Sequence, residues 1–310
     1  MAAKDTLRGT QSLVHTLGDC WSRRSLIALE IGWRWLFGAP ALLLLYSEGT
    51  RILAATASQL EATGIEQFPL QDPMRGAVMV ADAFAILKPP VLQTALWLLP
   101  LLAVGWSIAS GIGRNLVLRR YDPALPKKPL QLVVLQLLRI AALGGTFVGW
   151  FVAIHWAANY SLSGGEPNFV LYCALVICLS LGIFTLWALL SWIFSIAPLL
   201  VLLENRGIAS SLYRSVRLGP LKGKLVEVNL VMGIIKLALI VLAMVFSATP
   251  LPFESVMQGS PLYIWWAGVS VLYLVASDFF QVARLVAFVQ FWRLWRGSQP
   301  NPSPTLAASK

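Results

Sequence analysis

The amino-acid sequence predicts an all-α polytopic membrane bundle, with about six transmembrane helices and one short interfacial helix. Three observations predict it. Of the 310 residues, 57% are hydrophobic and the mean hydropathy is +0.71. Charged residues make up 12%, against about 25% in an ordinary soluble domain. Six apolar stretches, near 25–46, 91–113, 130–158, 169–200, 225–248 and 262–292, reach the length of about 20 residues that a crossing requires. This composition excludes a disordered chain, a disulfide scaffold and a typical soluble enzyme.

Taken in order, residues 1–24 form a polar segment. The stretch at 25–46 is read as an uncleaved first span and not as a signal peptide, because no small-residue cleavage site follows its apolar core. The connection 47–90 is long enough for two short surface helices. One carries Ile52, Leu53 and Leu60 and ends at Gly64; the other starts at Pro73 and stops at Pro89-Pro90. The links 159–168 and 249–261 are short, with Ser163-Gly164-Gly165 and Pro250/Pro252 as turn formers. The transmembrane domain extends over 25–296, and 297–310 reads as a disordered tail.

Positive charge sets the orientation. Lys4, Arg8, Arg23 and Arg24 precede the first span, and Arg114, Arg119, Arg120, Lys127 and Lys128 follow the second. Arg206, Arg214, Arg217, Lys222 and Lys224 follow the fourth, and Arg293, Arg296 and Lys310 follow the sixth. The alternate connections hold Arg51, Arg75 and Lys88. This alternation places both termini in the cytoplasm of a multi-pass protein of the bacterial inner membrane. It also explains the net charge of +10 as basic loops facing an anionic leaflet, so no nucleic-acid partner is expected. Tyr263, Trp265 and Trp266 at one end of the last span, with Trp292 and Trp295 at the other, suit the headgroup level.

Inside the spans lie Glu30, Arg34, Arg139, Lys236, Asp278 and Arg284. At a rise of about 1.5 Å per residue, the three arginines lie about 12–14 Å from the cytoplasmic ends, and Lys236 and Asp278 about 17–21 Å. Glu30 and Arg34, four apart, share a helix face, and Lys236 and Asp278 are expected to pair. These charges either line an inward-facing basic cavity or serve structure, by snorkelling and by pairing. Ala141, Gly145, Gly149 and Ala153 form a small-residue ridge, as do Gly105, Ala109 and Gly113; such ridges pack helices within a bundle or against a membrane-protein partner.

Motifs for catalysis or cofactor binding are missing from the sequence. It contains no His-Glu-x-x-His, Gly-x-Ser-x-Gly, Walker loop or Gly-x-Gly-x-x-Gly. Cys20, Cys173 and Cys178 give no disulfide or metal pattern, and His155, near an outer span end, reads as a packing residue before it reads as a ligand. No catalytic residue, metal or cofactor is expected.

The most distinctive segment is 198–225. An apolar run from Pro198 ends at Leu203-Glu204; Gly207 breaks the helix, and a short basic amphipathic helix covers about 208–218. Ile208, Leu212, Tyr213 and Val216 are expected on its apolar side, with Arg214 and Arg217 beside them and Gly219-Pro220 as its stop. Leu203, Glu204, Gly207, Leu212, Arg214, Ser215 and Leu218 resemble a signature of bacterial multi-pass families. These include the membrane domain of some glycerophosphodiester phosphodiesterases and several uncharacterised six-span proteins. The resemblance covers about 30 residues of the chain and implies a six-span domain with a surface helix between spans four and five. After Leu218 the pattern departs, with Gly219-Pro220-Leu221 where those families have a lysine, a glycine and an aromatic. The phosphodiesterase's catalytic barrel is missing, so no hydrolase activity carries over.

The expectation is a non-catalytic integral membrane protein, a scaffold or accessory subunit, that contacts anionic lipid headgroups through Arg206, Arg214, Arg217, Lys222 and Lys224. The alternative is a transporter or lipid-moving permease with an inward-facing basic cavity. The topology is testable directly. Reporters fused after residues 60, 163 and 256 should read as external, and after 122, 215 and 305 as cytoplasmic; one reversed pair overturns the six-span order.

Overall fold

A computed structural model describes residues 9–64, 72–163, 167–217, 221–249 and 259–297. These form eight α-helices and, among the described residues, no strand. The helices are α1 (Gly9–Ser22), α2 (Arg24–Ala62), α3 (Pro73–Tyr121), α4 (Pro129–Leu162), α5 (Phe169–Leu203), α6 (Ile208–Val216), α7 (Leu221–Ala248) and α8 (Ser260–Gly297). Six of them, α2, α3, α4, α5, α7 and α8, are long and apolar enough to cross a membrane. The chain is therefore a multi-pass membrane protein. The turns at 164–165, 219–220 and 250–252, and the tail from 298, lie outside the described residues.

Two expectations are corrected. The residues from 47 to 90 are not a loop with separate surface helices. α2 continues unbroken through Ala62, and α3 begins at Pro73 and passes through Pro89, Pro90 and Pro100. Proline removes an N–H and crowds the carbonyl four residues back, but its φ near −65° is already helical, so a long helix can continue through it at the cost of a lost bond and local bending. At about 1.5 Å per residue, α2 is about 58 Å long and α3 about 74 Å, well beyond the roughly 30 Å of a hydrocarbon core. The start at Pro73 is as expected, and Asp72 caps it by accepting from Met74 N and Arg75 N at 3.2 and 3.1 Å. Gly64 ends α2 with φ +72°, a left-handed conformation natural to glycine. The second correction concerns the polar N-terminal segment, which contains α1, a helix with Thr16 and Cys20 fully buried.

The chain divides into two compact units, Trp33–Ser110 and the rest. Within Trp33–Ser110, the Trp106 ring lies 5.5 Å from Trp33 and 5.6 Å from Phe37. Gly105 makes room for Phe37: a Cβ there would come within 2.8 Å of that ring.

In the other unit, α4 pairs with α5, α7 pairs with α8, and α1 lies against α8 and α7. Burial gathers at one end of these hairpins. The first turns of α4 (Leu132, Leu135), the last turns of α5 (Ile196, Leu199, Leu200, Leu202), the first turns of α7 (Leu225, Val228, Met232) and the last turns of α8 (Val282 to Trp292) are buried. Toward the other end the faces are mostly open, although Ala157 and Ser161 of α4 are buried. None of the most apolar 18-residue stretch of α5 is buried. The α7–α8 hairpin closes at its far end where the Trp265 and Trp266 indoles donate to the carbonyls of Phe246 and Ser247, at 2.8 and 3.0 Å. Those carbonyls belong to the last turn of α7, which has no helical donors for them.

The small residues divide in role. A Cβ on Gly145 or Gly149 would meet no atom within 4 Å, so that ridge of α4 is uncovered. Gly111, by contrast, is pressed against α4: a Cβ there would lie 2.8 Å from the Val133 backbone nitrogen. Gly111→Ala should therefore lower the thermal midpoint, at an overpacking cost of about 1–3 kcal/mol. Gly149→Ala should be neutral or stabilising by up to about 1 kcal/mol from helix propensity. Unfolding scans of both variants in the same detergent check this.

Candidate functional site

The packed end of the larger unit carries two polar assemblies. The first is the elbow between α5 and α6. α5 ends at Leu203, with Glu204 as its C-cap donating its N–H to the Leu200 carbonyl at 2.9 Å. Asn205 then takes φ +54°, a left-handed conformation that asparagine tolerates better than most residues. The helix break assigned above to Gly207 thus falls on Asn205. Gly207 is instead the extended N-cap residue of α6.

The Glu204 carboxylate lies between two arginines. Arg206 Nε is 2.6 Å from Oε2 and Arg214 Nε is 3.3 Å from Oε1. The Glu204 side chain is only 10% exposed, whereas the two arginines are 46% and 41% exposed. Lys128, at the N-cap of α4, donates to the Arg206 carbonyl at 3.3 Å. Arg217, past the end of α6, lies over the Tyr213 ring at 4.7 Å.

The buried face of α6 differs from expectation. Ser211 and Ser215 are fully buried, and Ile208 and Leu212 pack on Leu135, Ala197 and Val201. Tyr213 and Val216 are 61% and 56% exposed, so they do not share that apolar side. Lys222 and Lys224 fall in the first turns of α7, with side chains outside the described residues.

The second assembly centres on Gln290 of α8. Its Oε1 accepts from Thr16 Oγ1 at 2.7 Å, and its Nε2 donates to Asp19 Oδ2 and to Tyr121 Oη, both at 3.2 Å. His15 lies 3.5 Å from the same Asp19 oxygen, and the Arg23 guanidinium lies over the Tyr121 ring at 5.1 Å. Asp122, 7% exposed, accepts from Arg293 of α8 and, at 3.2 Å, from Ala124 N. Burial, reinforced by Asp19 and opposed by Arg23, pushes the Cys20 thiol up to about 11, so it stays protonated and acts as a packing group.

Of the intramembrane charges, Glu30 is fully buried and Asp278 is 5% exposed. Arg139 and Arg284 are partly buried, and Lys236 is exposed on α7. Arg34 lies over Trp33 at 5.3 Å. The apolar groove between α7 and α8, about 600 Å³, and the smaller one between α4 and α5, about 330 Å³, are lined by other residues. His155 is 3.2 Å from Asn159, one turn along α4.

Asp122 and Gln290 were not picked out from the sequence. An Asp-Pro turn after a basic run offered a weak signal for the first; nothing marked the second. Comparison with protein-family models, curated proteins and solved structures gives no match.

Because Gln290 joins α1 and α3 to α8 through three hydrogen bonds, Gln290→Leu should destabilise by about 1–3 kcal/mol, the cost of leaving buried and partly buried polar partners unmet. Thr16→Val should cost less, and the pair should be non-additive because both remove one bond. A double-mutant cycle on thermal midpoints measures this, with faster proteolysis at α1 as a second readout.

Proposed function

We propose that this chain is a non-catalytic scaffold or accessory subunit of a bacterial cytoplasmic membrane, with both termini and α6 in the cytoplasm and anionic lipid against that face. The observation that carries the scaffold reading is the extent of uncovered apolar helix surface beyond the packed end, including the Gly145–Gly149 ridge of α4. Lipid tails are as apolar as leucine, so helix association in a membrane relies on close backbone approach, which bare glycines permit. The resemblance of the 203–218 segment to six-span membrane domains supports the same reading. So does the alternation of Lys and Arg between connections, which also favours anionic lipid at the α6 face. The basic residues proposed to meet that lipid belong to the segment Arg206–Lys224.

Photo-crosslinking side chains at 145 and 149, compared with 147 and 151 on the same helix, test the scaffold role in native membranes. A discrete protein adduct at 145 and 149, a second copy of the chain or another membrane protein, is the expected result. Lipid adducts alone at all four positions would reject it.

A further inference from the structure

α6 is divided into three stripes. Ile208, Ser211, Leu212 and Ser215 face the bundle. Ala209, Tyr213 and Val216, spaced four and three apart, form a second stripe, and all three are exposed. Ser210 and Arg214 form the third, leading to Arg217. A helix that only covered the bundle would need one apolar stripe. The second stripe is apolar, uncovered and bordered by a cation. Its position is also constrained, because four residues join α6 to the last span residue of α5. Four extended residues reach about 14 Å at most, so α6 stays within that distance of the end of α5.

The three described arginines are not equivalent. Glu204 engages Arg206 and Arg214, so much of their charge is met within the chain. Arg217 instead stacks on Tyr213, at the border of the exposed apolar stripe. An exposed aromatic with a guanidinium on its face suits the headgroup level, where one end is apolar and the other wet. A soluble anion would have no use for the apolar stripe, so charge and apolar surface together select a lipid layer.

We infer that α6 enters the interface of its own bilayer edge-first, through Ala209, Tyr213 and Val216, with Arg217 as its contact to anionic headgroups, while Arg206 and Arg214 are positioning residues that set the angle of α6 through Glu204. This rests on the anionic-lipid reading above and narrows it to named side chains. Expected consequences differ by residue. Arg217→Gln should weaken the hold on anionic lipid about fivefold, the share of one basic residue near a charged surface, and added salt should shrink the difference. Arg206→Gln should lower lipid retention less than Arg217→Gln does, while making α6 more mobile.

The test uses the full chain with Cys173→Ser and Cys178→Ser. Cys20, buried and held protonated, is left in place. Single spin labels go at 209, 210 or 216, in vesicles of phosphatidylcholine alone or mixed with phosphatidylglycerol. Labels at 209 and 216 should be reached by oxygen and shielded from a water-soluble nickel chelate, with 210 the reverse. Equal access of the chelate to 209, 210 and 216 would overturn the inference. So would unchanged phosphatidylglycerol retention in Arg217→Gln, or equal loss in Arg217→Gln and Arg206→Gln. Chelate access at 209 and 216 with charge-dependent retention would sink this edge and spare the wider reading. If Arg217→Gln, Lys222→Gln and Lys224→Gln combined leave retention unchanged, the anionic-lipid reading itself fails.

Discussion

Apolar side chains drive helices together only where water is the alternative. In hydrocarbon that drive is missing, and association falls to close packing and hydrogen bonds. The larger unit follows this constraint along its length. Its helices pack tightly at one end, from Ile196 to Leu202 of α5 and in the last turns of α8 up to Trp292, and the Gln290 and Glu204 assemblies lie at that same end. Away from that end, in the most apolar 18-residue stretch of α5, no residue is buried. Gln290, Asp122 and Glu204 stand at that packed end because polar side chains supply direction that apolar burial lacks.

The two assemblies distribute the work differently. Gln290 joins segments distant in sequence and has no charge to satisfy. Glu204 joins neighbours, Arg206 and Arg214, and so fixes a local angle. Exposed ion pairs stabilise little. The Glu204 pair differs in being shielded on the carboxylate side, which makes it a geometric device more than an energetic one.

Much of the fold was legible in the sequence because a span announces itself by composition. All six spans, the start of α3 at Pro73, the stop at Gly64 and the short helix after span four appear in the structure. The continuity of α2 and α3 was not legible. Pro89-Pro90 is a stop signal because interior prolines usually kink or end a helix, yet α3 continues through both. Nor was α1, whose 14 residues are too few and too polar for a span signal. For the elbow, the sequence located the basic residues and an apolar side, but not its division between Ile208 and Leu212 against the bundle and Tyr213 and Val216 exposed. Periodicity gives angular position on α6, not which arc the neighbours cover, and Ser211 and Ser215 carry no hydrophobic signal for the arc they fill. The close approach at Gly111 was hidden for a similar reason, since a glycine in an apolar run does not reveal what lies opposite it.

The bond from Thr16 to Gln290 spans 274 positions of the chain. The indole bonds that close α7 on α8 span 19. Local closures form early, and distant ones wait for everything between them. During synthesis, α1 therefore precedes α8, and the bond from Thr16 cannot form until α8 has been made. In that interval Thr16 waits for its acceptor on α8. A chain stalled before α8 would lack the Gln290 acceptor, so this bond is a local record of whether α8 has been made and has reached α1.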